Sequence, residues 1–257
     1  MRLLPQLGAV GALRDAVRYI IRRLAERRSH LRTTIRRADL ALAQNPETAA
    51  RLSSARSVDV APNGTSAVPE AHPGGGERSR DVLFVGRLIP YKAGVLAVRA
   101  IARVETPGSR LVVIGDGPDR PRMERLAERL GVADRVEFLG RIPRAEVFER
   151  VATAGVFAHP ALHDDSPLSV AEALALGTPV VCLDRGGPPV VCKAFSDSPS
   201  TVVSDAGSAD MVADRIACAI DAHLGEPPPV SDRVTGPDFT FEERMLEAYR
   251  SVLPTRR

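Results

Sequence analysis

Two cations, Arg87 and Lys92, stand five residues apart in the segment VGRLIPYKAG, with Pro90 stiffening the chain between them. A guanidinium and an ammonium converging on one point would neutralise a diphosphate, whose negative charge grows as it departs in a group transfer. Lysine is scarce here: of 35 Lys and Arg residues, only Lys92 and Lys193 are lysine. Where arginine serves as the general surface cation, a retained lysine can mark a place that needs a compact ammonium. The competing reading is a pair of solvated surface cations. A second run is HDDSPLSVAEALALGTPVVCL. Ser166 followed by Pro167 reads as a helix start, an N-cap and then a proline at the first helical position. Gly177 supplies the stop. Amides at that start would offer a phosphate the positive end of the helix dipole. Glu172 is the one charged residue between Pro167 and Leu183 and shares a helix face with Leu168, Ala175 and Leu176. Buried there it needs a hydrogen-bond partner, which a ligand hydroxyl could be. Alternatively, Ser169 and Glu172 form a narrow solvent stripe on a mostly buried helix.

These residues need elements to hold them. From residue 81 onward, short β-rich runs (DVLFVG, RLVVIG, RVEFLG, GVFAHP, PVVCL, TVVS) alternate with helical stretches at 93–104, 120–130, 144–154, 167–176 and 209–224. Such alternation predicts an α/β domain, a Rossmann-like parallel sheet with helices on both faces. Ligands of these sheets lie beyond the carboxyl ends of the strands. Arg87 and Lys92 fall at or just past the end of the first of them.

Upstream, residues 10–37 read as one amphipathic helix, with Leu13, Val17, Ile20, Ile21, Leu24, Leu31 and Ile35 forming the stripe and arginines crowding the rest. Then come ADLALAQ, a Pro-started helix at 46–52, and SVDVAP closed by Asn63-Gly64. Strand, helix, strand is a piece of an α/β unit without the strands before it. Residues 65–80, with Pro69, Pro73 and Gly74-Gly75-Gly76, read as a linker. A last helix is expected at 241–252, after Pro227-Pro228-Pro229.

Bulk properties narrow the function classes. With 257 residues, 44% hydrophobic and 26% charged, the composition is that of an ordinary globular chain. No apolar stretch approaches a membrane span, and three cysteines make no disulfide framework, which points to a reducing cytoplasm. The cysteines are expected to be packing residues. A net charge of +3 does not imply nucleic acid. Gly115-x-Gly117-x-x-Arg120 imitates a dinucleotide fingerprint, but Arg120 replaces its third glycine and the motif follows the second strand of the sheet. A tight turn near a sugar or phosphate is expected there, with no nicotinamide. His159, His163, Asp164 and Asp165 could imitate a metal cluster, but their irregular loop lacks helical ligand spacing.

The combination of VGRLIPYK, Asp164-x7-Glu172 and ALALGTPVV resembles the donor domain of the GT-B retaining glycosyltransferases of family 4. VVIGDGP, RVEFLGRIP and LDRGGPP fall in that family's order. The resemblance implies a transferase that moves a hexose from a UDP- or GDP-linked donor to a hydroxyl of a glycan, lipid or small molecule, with retained configuration, no metal and no cofactor. It implies that Arg87 and Lys92 clamp the diphosphate, Asp164 orients the sugar and Glu172 binds the ribose. Asp165, Ser166, Pro167 and Leu168 would form a backbone cradle for phosphate and sugar. Gly86 and Gly115 would border the donor, and Gly140 with Arg141 the nucleobase. Asp164 departs from the family's usual glutamate by one methylene. APNG at 61–64 resembles the end of the family's acceptor domain, so 1–64 would be a remnant of that domain, 65–80 a linker, 81–235 the donor domain and 236–257 the helix that crosses back. The uncovered helix 10–37 would then meet a partner subunit or an anionic membrane surface at the cytoplasmic face, or stay solvated. The alternative function is a nucleotide-sugar-binding module that needs a partner acceptor domain.

Overall fold

A computed structural model describes residues 29–60, 76–226, 246–247 and 250–251. The part of the expected basic helix before residue 29, APNG at 61–64, most of the expected linker and most of the expected C-terminal helix lie outside the described residues.

The N-terminal piece is helix α1 (Ser29–Arg37), strand β1 (Ala41–Ala43), helix α2 (Pro46–Arg51) and strand β2 (Val58–Val60). β1 and β2 pair in parallel, with Ala41 opposite Val58 and Ala43 opposite Val60. α2 starts where it does because Asn45, in extended backbone, caps it through a bond from Thr48 N, and Pro46 occupies the first turn, where no N–H is needed.

The larger unit is a six-stranded parallel sheet formed by β3 (Asp81–Val85), β4 (Arg110–Ile114), β5 (Val136–Gly140), β6 (Val156–His159), β7 (Val180–Leu183) and β8 (Ser200–Val203). Their spatial order is β5-β4-β3-β6-β7-β8. Helices α3 (Gly94–Ile101), α4 (Arg120–Arg129) and α8 (Ala209–Gly225) cover one face. Helices α5 (Arg144–Thr153), α6 (Leu168–Ala175) and α7 (Pro188–Ala194) cover the other. Side-chain alternation along each strand divides the core accordingly. Val82, Phe84, Leu111, Val113, Val156, Ala158, Val181 and Leu183 face α3, α4 and α8. Leu83, Val112, Ile114, Phe157, Val180 and Cys182 face α5, α6 and α7. Burial on both faces is why these strands read as nearly unbroken apolar runs.

The chain moves outward from β3 to β5, crosses back through α5 to β6, and then moves outward the other way. The order therefore reverses between β3 and β6, and that is where the carboxyl-end loops part into a crevice.

Three expectations need correction. Pro167, at φ −74° and ψ 107°, is itself the N-cap of α6, so the helix begins at Leu168 and Ser166 lies one residue outside it. Pro167 cannot donate, but its carbonyl accepts from Val170 N and Ala171 N at 3.2 and 3.3 Å, so it takes the capping place. α7 was not anticipated, since Gly186-Gly187-Pro188-Pro189 reads as loop. Pro188 is nonetheless the first helical residue, a position that suits proline. Cys182 and Cys192 are buried, but Cys218 is exposed on α8 and has no packing role to play. The stop at Gly177 stands: Gly177 N bonds Leu174 O and Thr178 N bonds Ala173 O, both at 2.9 Å, with Gly177 at φ +68°.

Residues 76–80, the end of the expected linker, are anchored under the sheet. Buried Arg78 donates to the carbonyls of Ala152 (2.8 Å), Ala154 (3.2 Å) and Gly177 (2.7 Å) and to the Thr178 hydroxyl (3.3 Å).

Candidate active site at the sheet crevice

The loop after β3 leads through Gly86 and Arg87 to a single 3₁₀ turn, Pro90–Lys92. Its course is set by the loop after β4. Gly86 N bonds Ile114 O at 2.9 Å, Leu88 N bonds Asp116 O at 3.0 Å, and Asp119 N bonds Leu88 O at 2.9 Å. Gly115, at φ +128°, lies so close to Gly86 that a Cβ there would overlap the Gly86 carbonyl. Gly115 N in turn bonds Gly140 O at 2.7 Å, which links a third strand end. The glycines that imitate a dinucleotide fingerprint thus serve loop-on-loop contact. Gly86, Gly115 and Gly140 line up across the ends of β3, β4 and β5.

Across the crevice, β6 ends at His159, and the chain continues through Leu162 and His163 to Asp164. The two loops are joined by Leu162 N bonding Tyr91 O at 2.8 Å. Beside that link the rings of Tyr91 and His163 meet edge to face, with centroids 6.2 Å apart. Here Lys92 Nζ and Asp164 Oδ2 form an ion pair, with side chains 20% and 14% exposed. His159 Nε2 lies 3.1 Å from the same oxygen. Burial works to raise the Asp164 pKa, but hydrogen bonds from His159 and Lys92 outweigh it and bring it down to about 2. Burial and the Lys92 charge hold His159 below its usual value against the pull of Asp164. The result is an ionised carboxylate, a neutral imidazole and an ammonium in one pocket.

A third loop, after β7, closes the far side. Gly187 N bonds Asp164 O at 2.8 Å, and a Cβ on Gly187 would overlap the carbonyl of Asp165. Asp165 also faces the N-terminal piece: Asn45 Nδ2 donates to its main-chain oxygen (3.0 Å) and to Oδ1 (3.2 Å), and Thr48 donates to Oδ1 (3.3 Å). Ser166 and Pro167 are buried, whereas Leu168 is exposed at the head of α6.

Arg87 and Glu172 stand differently from the rest. Exposed Arg87 donates to the Tyr91 hydroxyl at 3.3 Å, whereas Lys92 pairs with Asp164, so the two expected clamp cations have different partners. Glu172, 17% exposed, pairs with Arg144 Nη2 at 2.7 Å. Its burial raises its pKa, and Arg144 opposes the rise. The partner that burial demanded is therefore a protein cation, itself stacked over the Phe148 ring at 4.9 Å. Arg141 is exposed beyond β5. The sequence did not single out Tyr91, Arg144 or Asn45, nor His159 as the partner of Asp164. Only Asn45 left a readable signal, as the cap of a Pro-started helix. Among the described residues no group of three or more His, Cys, Asp or Glu is arranged to hold a metal ion, and no helix is long and apolar enough to cross a membrane.

Comparison with known proteins gives this crevice a context. Residues 71–224 match the family model described as glycosyl transferases group 1. The D-inositol 3-phosphate glycosyltransferase of Mycobacteroides abscessus is 38% identical over 138 residues, which are 52% of this chain and 31% of that protein. The GDP-mannose-dependent alpha-(1-6)-phosphatidylinositol monomannoside mannosyltransferase of Mycobacterium tuberculosis is 33% identical over 151 residues, 55% of this chain and 38% of the relative. The chain thus spans about a third of the length of the curated relatives it matches. Among solved structures, the lipopolysaccharide outer core galactosyltransferase WaaB in its apo form aligns with a TM-score of 0.59 at 20% identity, covering 84% of this chain and 63% of its own. Anabaena HepE in complex with UDP-glucose aligns with a TM-score of 0.58 at 18% identity, covering 86% and 68%. At these identities the structural likeness establishes the fold.

Proposed function

This chain belongs to the glycosyl transferases group 1, and from that footing we propose that its crevice binds a nucleotide-diphosphate sugar, UDP- or GDP-linked, and serves transfer of a hexose to a hydroxyl acceptor. The observation that carries the proposal is the meeting of Lys92, from the loop after β3, with Asp164, from the loop after β6, at the point where strand order reverses. Arg87 and Lys92 would neutralise the departing diphosphate together with the amides at the head of α6, the part a metal plays elsewhere. Asp164, ionised through neutral pH, would accept hydrogen bonds from the sugar hydroxyls. Glu172 would exchange Arg144 for the ribose. The departing phosphate would itself take the acceptor's proton, and the configuration would be retained, as in the family 4 enzymes that the motifs resemble.

In this reading residues 1–64 are the closing portion of an acceptor domain, 65–80 a linker, 81–235 the donor domain and 236–257 a helix crossing back. The acceptor is a glycan, a lipid-linked sugar or a small molecule, and the arginine-rich helix at 10–37 would bring the protein to an anionic membrane surface or a partner.

Calorimetric titration with UDP and with GDP tests the proposal. One of the two should bind, and Lys92→Ala should weaken it roughly 10- to 100-fold, the scale of a lost charge-assisted hydrogen bond. Binding of neither, or binding indifferent to Lys92, would refute it. The second reading is a binding module that needs a separate acceptor domain, and what supports it is that the chain spans about a third of the length of the curated relatives it matches. Turnover of UDP-glucose or GDP-mannose by this chain alone would eliminate that module.

A further inference from the structure

Asn45 is 1% exposed, and both polar atoms of its side-chain amide are engaged. Its Oδ1 accepts from Thr48 N at 2.9 Å and so caps α2. Its Nδ2 serves Asp165, 120 positions away in sequence, at the main-chain oxygen and at Oδ1. Thr48 adds its hydroxyl to the same carboxylate oxygen. Opposite, Gly187 holds the neighbouring Asp164 carbonyl and packs its bare Cα against the Asp165 carbonyl. The two consecutive carbonyls are therefore fixed from both sides, one grip coming from the donor domain and the other from the N-terminal piece. The side chain oriented by that stretch of backbone is Asp164. Capping alone does not require an amide, since Ser, Asp and Asn cap a helix about equally well. Of these three, only asparagine also presents an N–H to a carbonyl and a carboxylate.

We propose that Asn45 is a positioning residue for the donor loop, fixing the peptide at Asp165 so that Asp164 is aimed at the sugar of the donor. The N-terminal piece then sets affinity for the nucleotide sugar without touching it. This rests on the donor-site reading above. Asp164 is assigned to the sugar and Lys92 to the diphosphate, so a loosened loop weakens the nucleotide sugar more than the bare nucleoside diphosphate.

The test is calorimetry on the full chain and on Asn45→Ser and Asn45→Asp, with UDP, UDP-glucose, GDP and GDP-mannose as probes. Asn45→Ser should weaken the preferred nucleotide sugar roughly three- to tenfold, with less than about a twofold change for its nucleoside diphosphate. Asn45→Asp should weaken it further, because it sets a carboxylate against Asp165. If Asn, Ser and Asp behave alike, the residue is only a helix cap and the inference is overturned. An equal loss for nucleotide sugar and nucleoside diphosphate overturns it in favour of general loosening. Should either variant melt early, Thr48→Val, which leaves the cap in place, is measured instead and must shift the same ratio. Wild-type chain that binds none of the four probes refutes the donor-site reading itself, and this inference with it.

Discussion

Asp164 concentrates the chemistry of the crevice, and its pKa makes that concentration measurable. Its carboxyl falls from 3.8 to about 2 because two donors converge on one oxygen in a half-buried place. A depressed carboxylate pKa adds stability above the unfolded value and loses it as pH falls toward the folded one. The contribution is about 2 kcal/mol at neutral pH, lost between roughly pH 4 and pH 2. Urea melts of wild type and Asp164→Asn should therefore differ fully at pH 5, by roughly half as much at pH 3, and converge toward pH 2. A constant difference would mean that the Lys92–Asp164–His159 cluster does not form in solution. His159 acts in the same direction from a higher pH, since the unfolded chain takes up a proton below about 6.5 that the buried ring resists. At this scale the sequence was informative about types but not about partners. Scarcity singled out Lys92, its lone charge in an apolar segment singled out Glu172, and the family resemblance singled out Asp164. That Glu172 would pair with Arg144 was invisible, because the pairing depends on how α5 lies beside α6, which no local pattern encodes.

Among the elements, the strands were the easiest to read. A sheet buried on both faces needs runs such as RLVVI and VVCL, and few other contexts demand them. The helices with amphipathic periods were nearly as plain. α7 was hidden by the glycines and prolines that start it, residues whose usual meaning is loop. One element carries strain that its sequence does not announce. Ala93, directly after Lys92 and N-cap of α3, is the one non-glycine among the described residues with a positive φ, at 53°. A left-handed conformation costs an alanine roughly 1–2 kcal/mol, whereas glycine adopts it freely at about 0.5–1 kcal/mol of extra chain entropy. Ala93→Gly should thus raise the melting temperature by a few degrees with nucleotide affinity unchanged. A lower melting temperature would show that packing of the buried methyl outweighs the strain.

At the scale of the molecule, strand order was not readable from spacing. β3 and β6 are neighbours although two strands lie between them in sequence, and only the order of the motifs hinted at the family that arranges them so. The reversal turns residues more than seventy positions apart into one site. UDP or GDP bound there should slow amide hydrogen exchange at 86–92, 160–168 and 185–188 together and leave α8 unaffected. Protection confined to one of these loops would argue against a ligand seated across the crevice. The same junction makes the site open to covalent chemistry. Within these 257 residues an amine-acylating reagent finds two lysine side chains, exposed Lys193 and four-fifths covered Lys92. Any event that draws Lys92 away from Asp164 therefore bares one of the two lysine amines, and the label accumulating at that one position would report how often the two halves of the crevice part.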